Sequence, residues 1–370
     1  MRIASFNVEN LFDRAKALNT STWAEGREVL AQHARINSLL GEPVYTEEIK
    51  GEIVKLLEQL GLDKKDDGGR YALLRQNRGR LLRRSRTGGV EIVASGRDVW
   101  VGWVELKTEP VNELATQHTA MVMRDVAADI QAVVETDNRI ALRDFSSILL
   151  HAVGGTPFEH TMLIDGNDDR GIDVGILTRA GYEITGIRSH VDDTDAKGEI
   201  FSRDCPEYVI TTATGERVVV LVNHLKSKGY GTAADSNAKR QRQAARIATI
   251  YRRLRKLKEL NVAVVGDFND TPDSKPLAPL LAKTDLRDIT THEAFTSDGR
   301  PGTYANGTKS NKIDYLLLSP ALFKRVTGGA IYRKGVWGGK HGTLWEHYPT
   351  MTNGTQAASD HAAIYADVDI

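Results

Sequence analysis

Short runs of apolar, often β-branched residues recur along the chain, and polar or turn-forming residues separate them. Runs of this kind predict buried strands. We predict strands at residues 2–8, 130–135, 172–178, 218–224, 262–267, 313–319 and 362–368. Helical patterns lie between only some of these strands. This uneven alternation predicts a layered α/β fold rather than a regular βαβ ladder.

Apolar residues that recur every three or four positions predict the helices. The clearest one begins at Ser236, which we expect to be its N-cap. Its apolar face consists of Ala244, Ile247, Tyr251 and Leu254. We expect this helix to pack on the outside of a sheet, far from the strand ends. Residues 46–60 and 119–129 predict two further helices, the first stopping at Gly61.

Residues 14–115 differ in character from the rest, and we predict that they form an inserted subdomain of helices and a hairpin. The hairpin would pair residues 90–94 with 99–106. The main domain would then consist of residues 1–13 and 116–370. Within the insertion, residues 70–86 contain seven arginines and no acidic residue. This basic run could contact a nucleic-acid backbone, or it could be a solvated helix face with its leucines packed inward.

Polar residues with acid–base or metal-binding side chains stand at the predicted strand ends. They follow four strands and precede two others: Asn7, Glu135, His224, Asp267 and Asn269 follow, whereas Asp314 and the pair Asp360–His361 precede. If the last two strands run antiparallel to the others, all these side chains meet along one edge. Each residue alone could be an ordinary turn former or cap. Their joint occurrence predicts a functional site.

The composition sets wider limits. The chain has 370 residues, is 41% hydrophobic and 26% charged, and carries no formal net charge. These values are typical of a globular protein, so any nucleic-acid affinity must come from local patches. A single cysteine, no predicted signal peptide and no apolar run of membrane-spanning length predict a soluble cytoplasmic protein without a membrane partner.

The order of motifs resembles the endonuclease/exonuclease/phosphatase superfamily, especially its nuclease-like bacterial members. The motifs are FNVENLF, VVE, RGIDVGIL, NHLKSK, GDFND, IDYLLLSP and SDH. The resemblance covers residues 1–13 and about 116–370 and says nothing about the insertion. It implies a four-layer α/β/β/α sandwich of two packed mixed β-sheets flanked by helices. It also implies divalent-metal-dependent hydrolysis of phosphate esters.

The resemblance also implies roles for the residues at the strand ends. Asn7, Glu135 and Asp360 would hold the metal, which we expect to be Mg²⁺, with Mn²⁺ as the alternative. Asp267 would activate the attacking water, fixed by Asn269, and His361 would contact the phosphate while Asp314 holds its other ring nitrogen. We expect His224 to donate to a phosphate oxygen. Arg170 and Lys226 are the candidates for substrate binding.

Three functions remain open at this stage. The leading hypothesis is a metal-dependent nuclease acting on DNA or RNA as its nucleic-acid partner. The alternative is a phosphatase or phosphodiesterase of a small-molecule or lipid phosphate, and an inactive binding module is the third. The aromatic residues within 328–359 could stack on bases or simply cover a loop. A cysteine-phosphatase loop is excluded because Thr211 stands where its arginine would be.

Overall fold

The computed structural model describes residues 1–9, 14–15, 23–85, 89–109, 113–168, 171–228 and 232–370. The chain folds into two compact units. The first, which we call the main unit, consists of Met1–Phe12 and Val111–Ile370. The second, which we call the inserted unit, consists of Asp13–Pro110. No helix among the described residues combines the length and apolar character needed to cross a membrane.

Two six-stranded mixed sheets form the centre of the main unit. In spatial order, the first consists of β19 (Val326–Tyr332), β20 (Ala363–Val368), β1 (Arg2–Asn7), β8 (Ile130–Thr136), β10 (Asp173–Thr178) and β9 (His160–Leu163). The second consists of β11 (Tyr182–Arg188), β14 (Glu207–Thr212), β15 (Arg217–His224), β16 (Val262–Asp267), β18 (Asp314–Leu318) and β17 (Arg287–Asp288). A two-residue ribbon joins β12 (Thr194–Asp195) to β13 (Gly198–Glu199). All seven strands predicted from the apolar runs are present.

Helices cover the outer faces of the two sheets. The α-helices of the main unit are α3 (Glu113–Val126), α4 (Arg139–Asp144), α5 (Ala233–Lys256), α6 (Ala278–Leu281) and α7 (Pro320–Phe323). A π-helical segment, Phe145–Leu150, continues α4. Short 3₁₀ turns lie at Ile289–Thr291, Lys309–Asn311 and Gly354–Gln356. The observed start of α5 corrects one prediction, because Thr232 and not Ser236 caps it, accepting from the Asp235 amide at 3.1 Å.

Alternating side chains on the central strands explain the layers. In β15, Val218, Val220 and Val222 point into the core between the sheets. Their neighbours Val219 and Leu221 pack against α5 instead. Both sets are fully buried, which is why the strand is one continuous apolar run in the sequence. On the other sheet, α3 packs over the outer face in the same way. The predicted four-layer α/β/β/α sandwich is therefore confirmed.

The inserted unit has a separate apolar core built around the fully buried Trp100. Its helices are α1 (Trp23–Leu40) and α2 (Glu47–Gln59). Its strands pair as β2 (Arg14–Ala15) with β7 (Thr108–Glu109), β3 (Ala72–Arg78) with β6 (Val101–Leu106), and β4 (Leu82–Arg84) with β5 (Val90–Ile92). Thr46 caps α2, and its side chain accepts from the Ile49 N–H. The predicted hairpin is wrong, because β5 and β6 pair with different strands.

The basic run forms strands and not the helix considered from the sequence. Several of its arginines are neutralised by carboxylates of the same unit. Arg75 forms a two-pronged pair with Glu105 at 2.6 and 3.3 Å, and Arg84 pairs with Asp66 at 2.7 Å. Arg78 and Arg80 are exposed and form no ion pair with any described residue. The positive charge available to a partner is therefore smaller than the count of seven suggests.

Candidate active site

Three polar side chains lie side by side across the second sheet. His224 ends β15 and is the register partner of Asp267, which ends the parallel strand β16. Asp267 is in turn the partner of Asp314, the first residue of the antiparallel strand β18. All three residues are at most 5% exposed. Strand order and direction alone thus bring a histidine and two carboxylates into one row.

The first sheet brings its polar residues to the same place. Asn7 ends β1, and Glu135 lies one residue before the end of the parallel strand β8. Asp360 and His361 precede β20, which runs antiparallel to β1. The orientation assumed from the sequence is therefore confirmed for both sheets. Each strand delivers its polar end to the same edge of the sandwich.

Asn7 connects the two sheets at this edge. Its Nδ2 donates to Glu135 Oε1 at 3.2 Å and to Asp267 Oδ2 at 3.3 Å. Its Oδ1 accepts from the backbone N–H of Glu9 at 3.0 Å. His224 Nε2 lies 3.7 Å from the same two carboxylate oxygens of Glu135 and Asp267. Two acids from different sheets are thus held by one amide and one imidazole.

Asp267 is held from its own loop. The backbone N–H of Asn269 donates to Asp267 Oδ1 at 2.7 Å, and Asn269 Nδ2 donates to Oδ2 at 3.1 Å. Asn269 adopts a left-handed conformation with φ +55°, which asparagine tolerates better than most residues. Gly266 has φ +126°, and a Cβ there would lie 1.9 Å from the Asn223 carbonyl oxygen. The glycine is therefore required for the close approach of β16 to β15.

Burial raises the pKa of Asp267 to about 7, and the negative charge of Asp314 adds to the effect. The positive charge of His361 and the Asn269 N–H act in the opposite direction. A carboxylate whose pKa lies near neutrality can accept a proton at neutral pH and also release it. This is the property that a general base needs.

Asp314 and His361 form a buried charged pair. Asp314 Oδ2 accepts from His361 Nδ1 at 2.8 Å and from Thr303 Oγ1 at 2.6 Å. Burial by itself lowers the pKa of His361, but Asp314 and Asp360 outweigh it and keep that pKa well above its ordinary value. This raised pKa favours the protonated imidazole, whose Nε2 lies 3.6 Å from Asp360 Oδ1 and can donate to an anion. The predicted residues Glu135 and Asn269 also lie at this edge of the sandwich.

Asp360, the residue before His361, has the carboxylates of Glu9 and Glu135 near its own. The backbone N–H of Asp360 donates to Glu9 Oε2 at 2.9 Å. Loss of solvation and the nearby charge of Glu9 raise the pKa of Asp360 well above its ordinary range, with a further contribution from Glu135. Asp360 Oδ1 is buried and accepts no hydrogen bond from any described residue. A hard divalent cation fits this donor set, because it would satisfy that oxygen and relieve the repulsion.

A second set of atoms could also hold a cation. One oxygen each from Asp267 and Asp314 and one nitrogen of His361 all lie within 4.8 Å of one another. However, the Asp314–His361 hydrogen bond already uses one oxygen and one ring nitrogen of this set. This hydrogen bond leaves fewer atoms of the trio available to a cation.

Glu9 and Tyr304 were missed in the sequence. Glu9 lies two residues beyond Asn7, in the turn after β1, and has φ +51°. The one acidic residue in FNVEN was the available signal. The Tyr304 ring lies 4.9 Å from the His361 ring, centroid to centroid, and the negative charge of Asp360 helps to raise the pKa of Tyr304 to about 12.

Asp173 is a further buried acid beside the site. It is the first residue of β10 and the register partner of Thr136, which follows Glu135 directly. Its Oδ1 accepts from the Gly166 N–H at 2.8 Å. Burial raises the pKa of Asp173 to about 7, although the Gly166 hydrogen bond opposes the rise. The sequence indicated a strand here but gave this side chain no role.

The structure describes only one of the two residues predicted to bind the substrate. Lys226 lies two residues beyond His224 and is partly buried. Arg170 lies outside the described residues. In the aromatic segment 328–359, the hydroxyls of Tyr332 and Tyr348 donate to Asp125 Oδ2 at 2.6 and 2.9 Å. The Tyr348 side chain is buried, so its ring is not available to stack on a base.

A sequence profile of the Endonuclease/Exonuclease/phosphatase family matches residues 91–368. The chain belongs to the endonuclease/exonuclease/phosphatase family. Membership of this family makes the protein a hydrolase, and the resemblance seen in the motifs is confirmed. None of the curated proteins is a significant match to the sequence.

Three solved structures are similar to this chain. The mannosyl-6-phosphatase of Bacteroides thetaiotaomicron VPI-5482 is 16% identical, with a TM-score of 0.50, over 70% of this chain and 92% of that chain. Truncated Caenorhabditis elegans TDP2 is 15% identical with a TM-score of 0.47, over 68% and 90%. The human Nocturnin catalytic domain is 14% identical with a TM-score of 0.48, over 70% and 88%. At this identity, the first similarity shows the shared family fold alone.

Proposed function

We propose that this protein is a divalent-metal-dependent phosphodiester hydrolase, and that its substrate is DNA or RNA. The observation that carries the proposal is the convergence of Asp267, Asp314 and His361 within 4.8 Å, next to the acids of the first sheet. Phosphoester hydrolysis needs an activated water and positive charge on the phosphoryl oxygens. The buried site supports both requirements.

Asp267 would take the proton from the attacking water. Its two hydrogen bonds from Asn269 fix the carboxylate, and its raised pKa lets it accept a proton near neutral pH. General-base help of this kind contributes about 10²–10⁴ in rate. The imidazolium of His361, held by Asp314, would place positive charge on the phosphate. His224 would donate a second hydrogen bond to it.

Glu135, Asp360 and Glu9 would hold the cation, for which Mg²⁺ is the natural choice because it takes hard oxygen ligands. Asn7 would orient Glu135, since its amide group donates to that carboxylate and its oxygen accepts from Glu9 N–H. When bound, the ion would supply charge that neutralises the phosphoryl oxygens. The single cysteine in the sequence fits a reducing compartment, and we propose the cytoplasm.

The alternative is a phosphatase or phosphodiesterase acting on a small phosphoester. The carboxylate partners of Arg75 and Arg84 favour it, because they reduce the basic surface of the inserted unit. We further propose that the inserted subdomain, residues 14–115, helps to select the substrate.

A substrate panel tests the proposal. Plasmid DNA, single-stranded DNA and RNA oligonucleotides, and nitrophenyl phosphate mono- and diesters would be incubated with Mg²⁺, Mn²⁺ or EDTA. Metal-dependent cleavage of a nucleic acid is expected. Cleavage of monoesters alone would replace the nuclease with the phosphatase. No turnover of any phosphoester with either metal would refute both functions and leave a binding module.

A further inference from the structure

Helix α5 carries a completely buried arginine, Arg240. A charged side chain is rarely buried in this way unless it is fully paired. Its Nε donates to Asp270 Oδ2 at 3.0 Å, and Nη2 donates to Asn237 Oδ1 at 2.6 Å. Its Nη1 donates to the backbone carbonyl of Lys226. The guanidinium thus connects α5 to the segments that follow β15 and β16.

Gln243, one turn further along α5, is also completely buried. Its Oε1 accepts from the Lys226 backbone N–H at 2.8 Å. Both backbone polar groups of Lys226 are therefore bound by side chains of α5. Gln243 Nε2 forms no hydrogen bond with any described residue, so Oε1 makes the defined polar contact of this side chain.

Asp270 extends this arrangement to a second cation. It follows Asn269 directly and accepts from Lys228 Nζ at 2.7 Å while it pairs with Arg240. Lys228 is exposed, whereas Arg240 behind it is not. A planar guanidinium can bond several acceptors in a fixed geometry, which an ammonium cannot. Arg240 therefore sets the positions of Lys226 and Asp270 together.

We infer that Arg240 and Gln243 are positioning residues of this hydrolase. They fix the segment 225–228, directly after His224, so that Lys226 presents its positive charge to the substrate phosphate while Lys228 pairs with Asp270. The inference deepens the proposed function and rests on it. It also corrects the expectation that this helix lies far from the strand ends, because the first half of α5 reaches the loops that carry the site.

A hydrogen-bond deletion in Gln243 tests the inference with little risk to the fold. Gln243→Met has a similar volume, removes the acceptor for Lys226 N–H and also removes the unpaired Nε2. Arg246→Gln is the matched control, because Arg246 lies on the same helix but pairs with Asp193 at 2.7 Å. Arg240→Lys is the second variant, because it keeps the positive charge but removes the planar guanidinium that bonds several acceptors.

Two measurements separate positioning from general stability. Hydrogen exchange of a peptide covering 225–228 should be about five- to tenfold faster in Gln243→Met, as expected for one lost hydrogen bond. The Kd of inorganic phosphate, measured by calorimetry, and KM should rise by a similar factor, with kcat changed much less. Arg246→Gln should stay near wild type, and the effect of Arg240→Lys should exceed that of Gln243→Met.

Unchanged exchange and unchanged phosphate affinity in Gln243→Met would overturn the inference, even if its melting temperature falls. An equal effect of Arg246→Gln would also overturn it, because the helix as a whole would then be responsible. If the wild type hydrolyses no phosphoester, the proposed function fails. The exchange and phosphate-binding results would still decide whether α5 positions this segment.

Discussion

Asp173 makes the stability of the first sheet depend on pH in an unusual direction. Its pKa rises from 3.8 to about 7 on folding, so the folded protein favours the neutral carboxyl. A raised folded-state pKa contributes stability that is complete below the unfolded pKa and is lost as pH rises through the folded one. The protein should therefore become less stable between pH 4 and 8 because of this group.

The size of the effect follows from the two pKa values. One pKa unit corresponds to about 1.4 kcal/mol, so the full difference between 3.8 and about 7 is on the order of 4 kcal/mol. Between pH 5.5 and 8, linkage gives a loss of about 2 kcal/mol from this residue. Asp173→Asn removes the ionisation but keeps an acceptor for the Gly166 N–H. The variant should lack this loss and be the more stable protein at pH 8.

Hydrogen exchange followed by mass spectrometry provides the assay, because peptides from β10 report opening of this sheet alone. After correction for the intrinsic pH dependence, the opening free energy of β10 should fall between pH 5.5 and 8 in the wild type but not in Asp173→Asn. Asp195→Asn is the control, since Arg242 lowers the pKa of that exposed carboxylate. An equal fall of the β10 opening free energy in the wild type and in Asp173→Asn would refute the reasoning.

Three further predictions concern the site and the basic run. Asp267→Asn and His361→Gln should each lower kcat about 10²–10⁴-fold with an unchanged circular dichroism spectrum, and rates near wild type would remove the proposed mechanism. Glu135→Gln should raise the Mg²⁺ concentration for half-maximal activity and weaken metal binding in calorimetry; equal affinity would exclude it as a ligand. Arg78→Ser should weaken oligonucleotide binding and reduce the salt slope by about 1, whereas the carboxylate-paired Arg75→Ser should have less effect; equal losses would show that pairing does not matter.

The central strands were predictable because they are buried on both faces. In β15 and β16 an unbroken apolar run leads to the polar end, so the strand and its functional residue occur together in the sequence. Directions followed from the positions of Asp314 and His361 before their strands rather than after them. The apolar runs and the expectation that the polar strand ends meet at one edge were consistent with each other. The structure confirms both the strands and their directions.

The inserted unit was less predictable, since its strands are short and its pairing depends on tertiary contacts. The segment that forms β5 pairs back with β4, which no local pattern specified. The cap of α5 was misplaced because Thr232 and Ser236 are both acceptable N-caps. Glu9 was missed because it lies outside the strand, in a turn whose backbone conformation aims it at Asp360.

The Asn7 amide donates to one acid from each sheet, and the Asp314–His361 hydrogen bond also crosses between the sheets, so the two halves of the candidate site are joined across the sandwich. A slide of one sheet by a single residue would move its side chains by about 3.3 Å and separate the acids from the imidazole. Turnover should consequently report the alignment of the layers. On mild heating, enzymatic activity should be lost before either β-sheet unfolds.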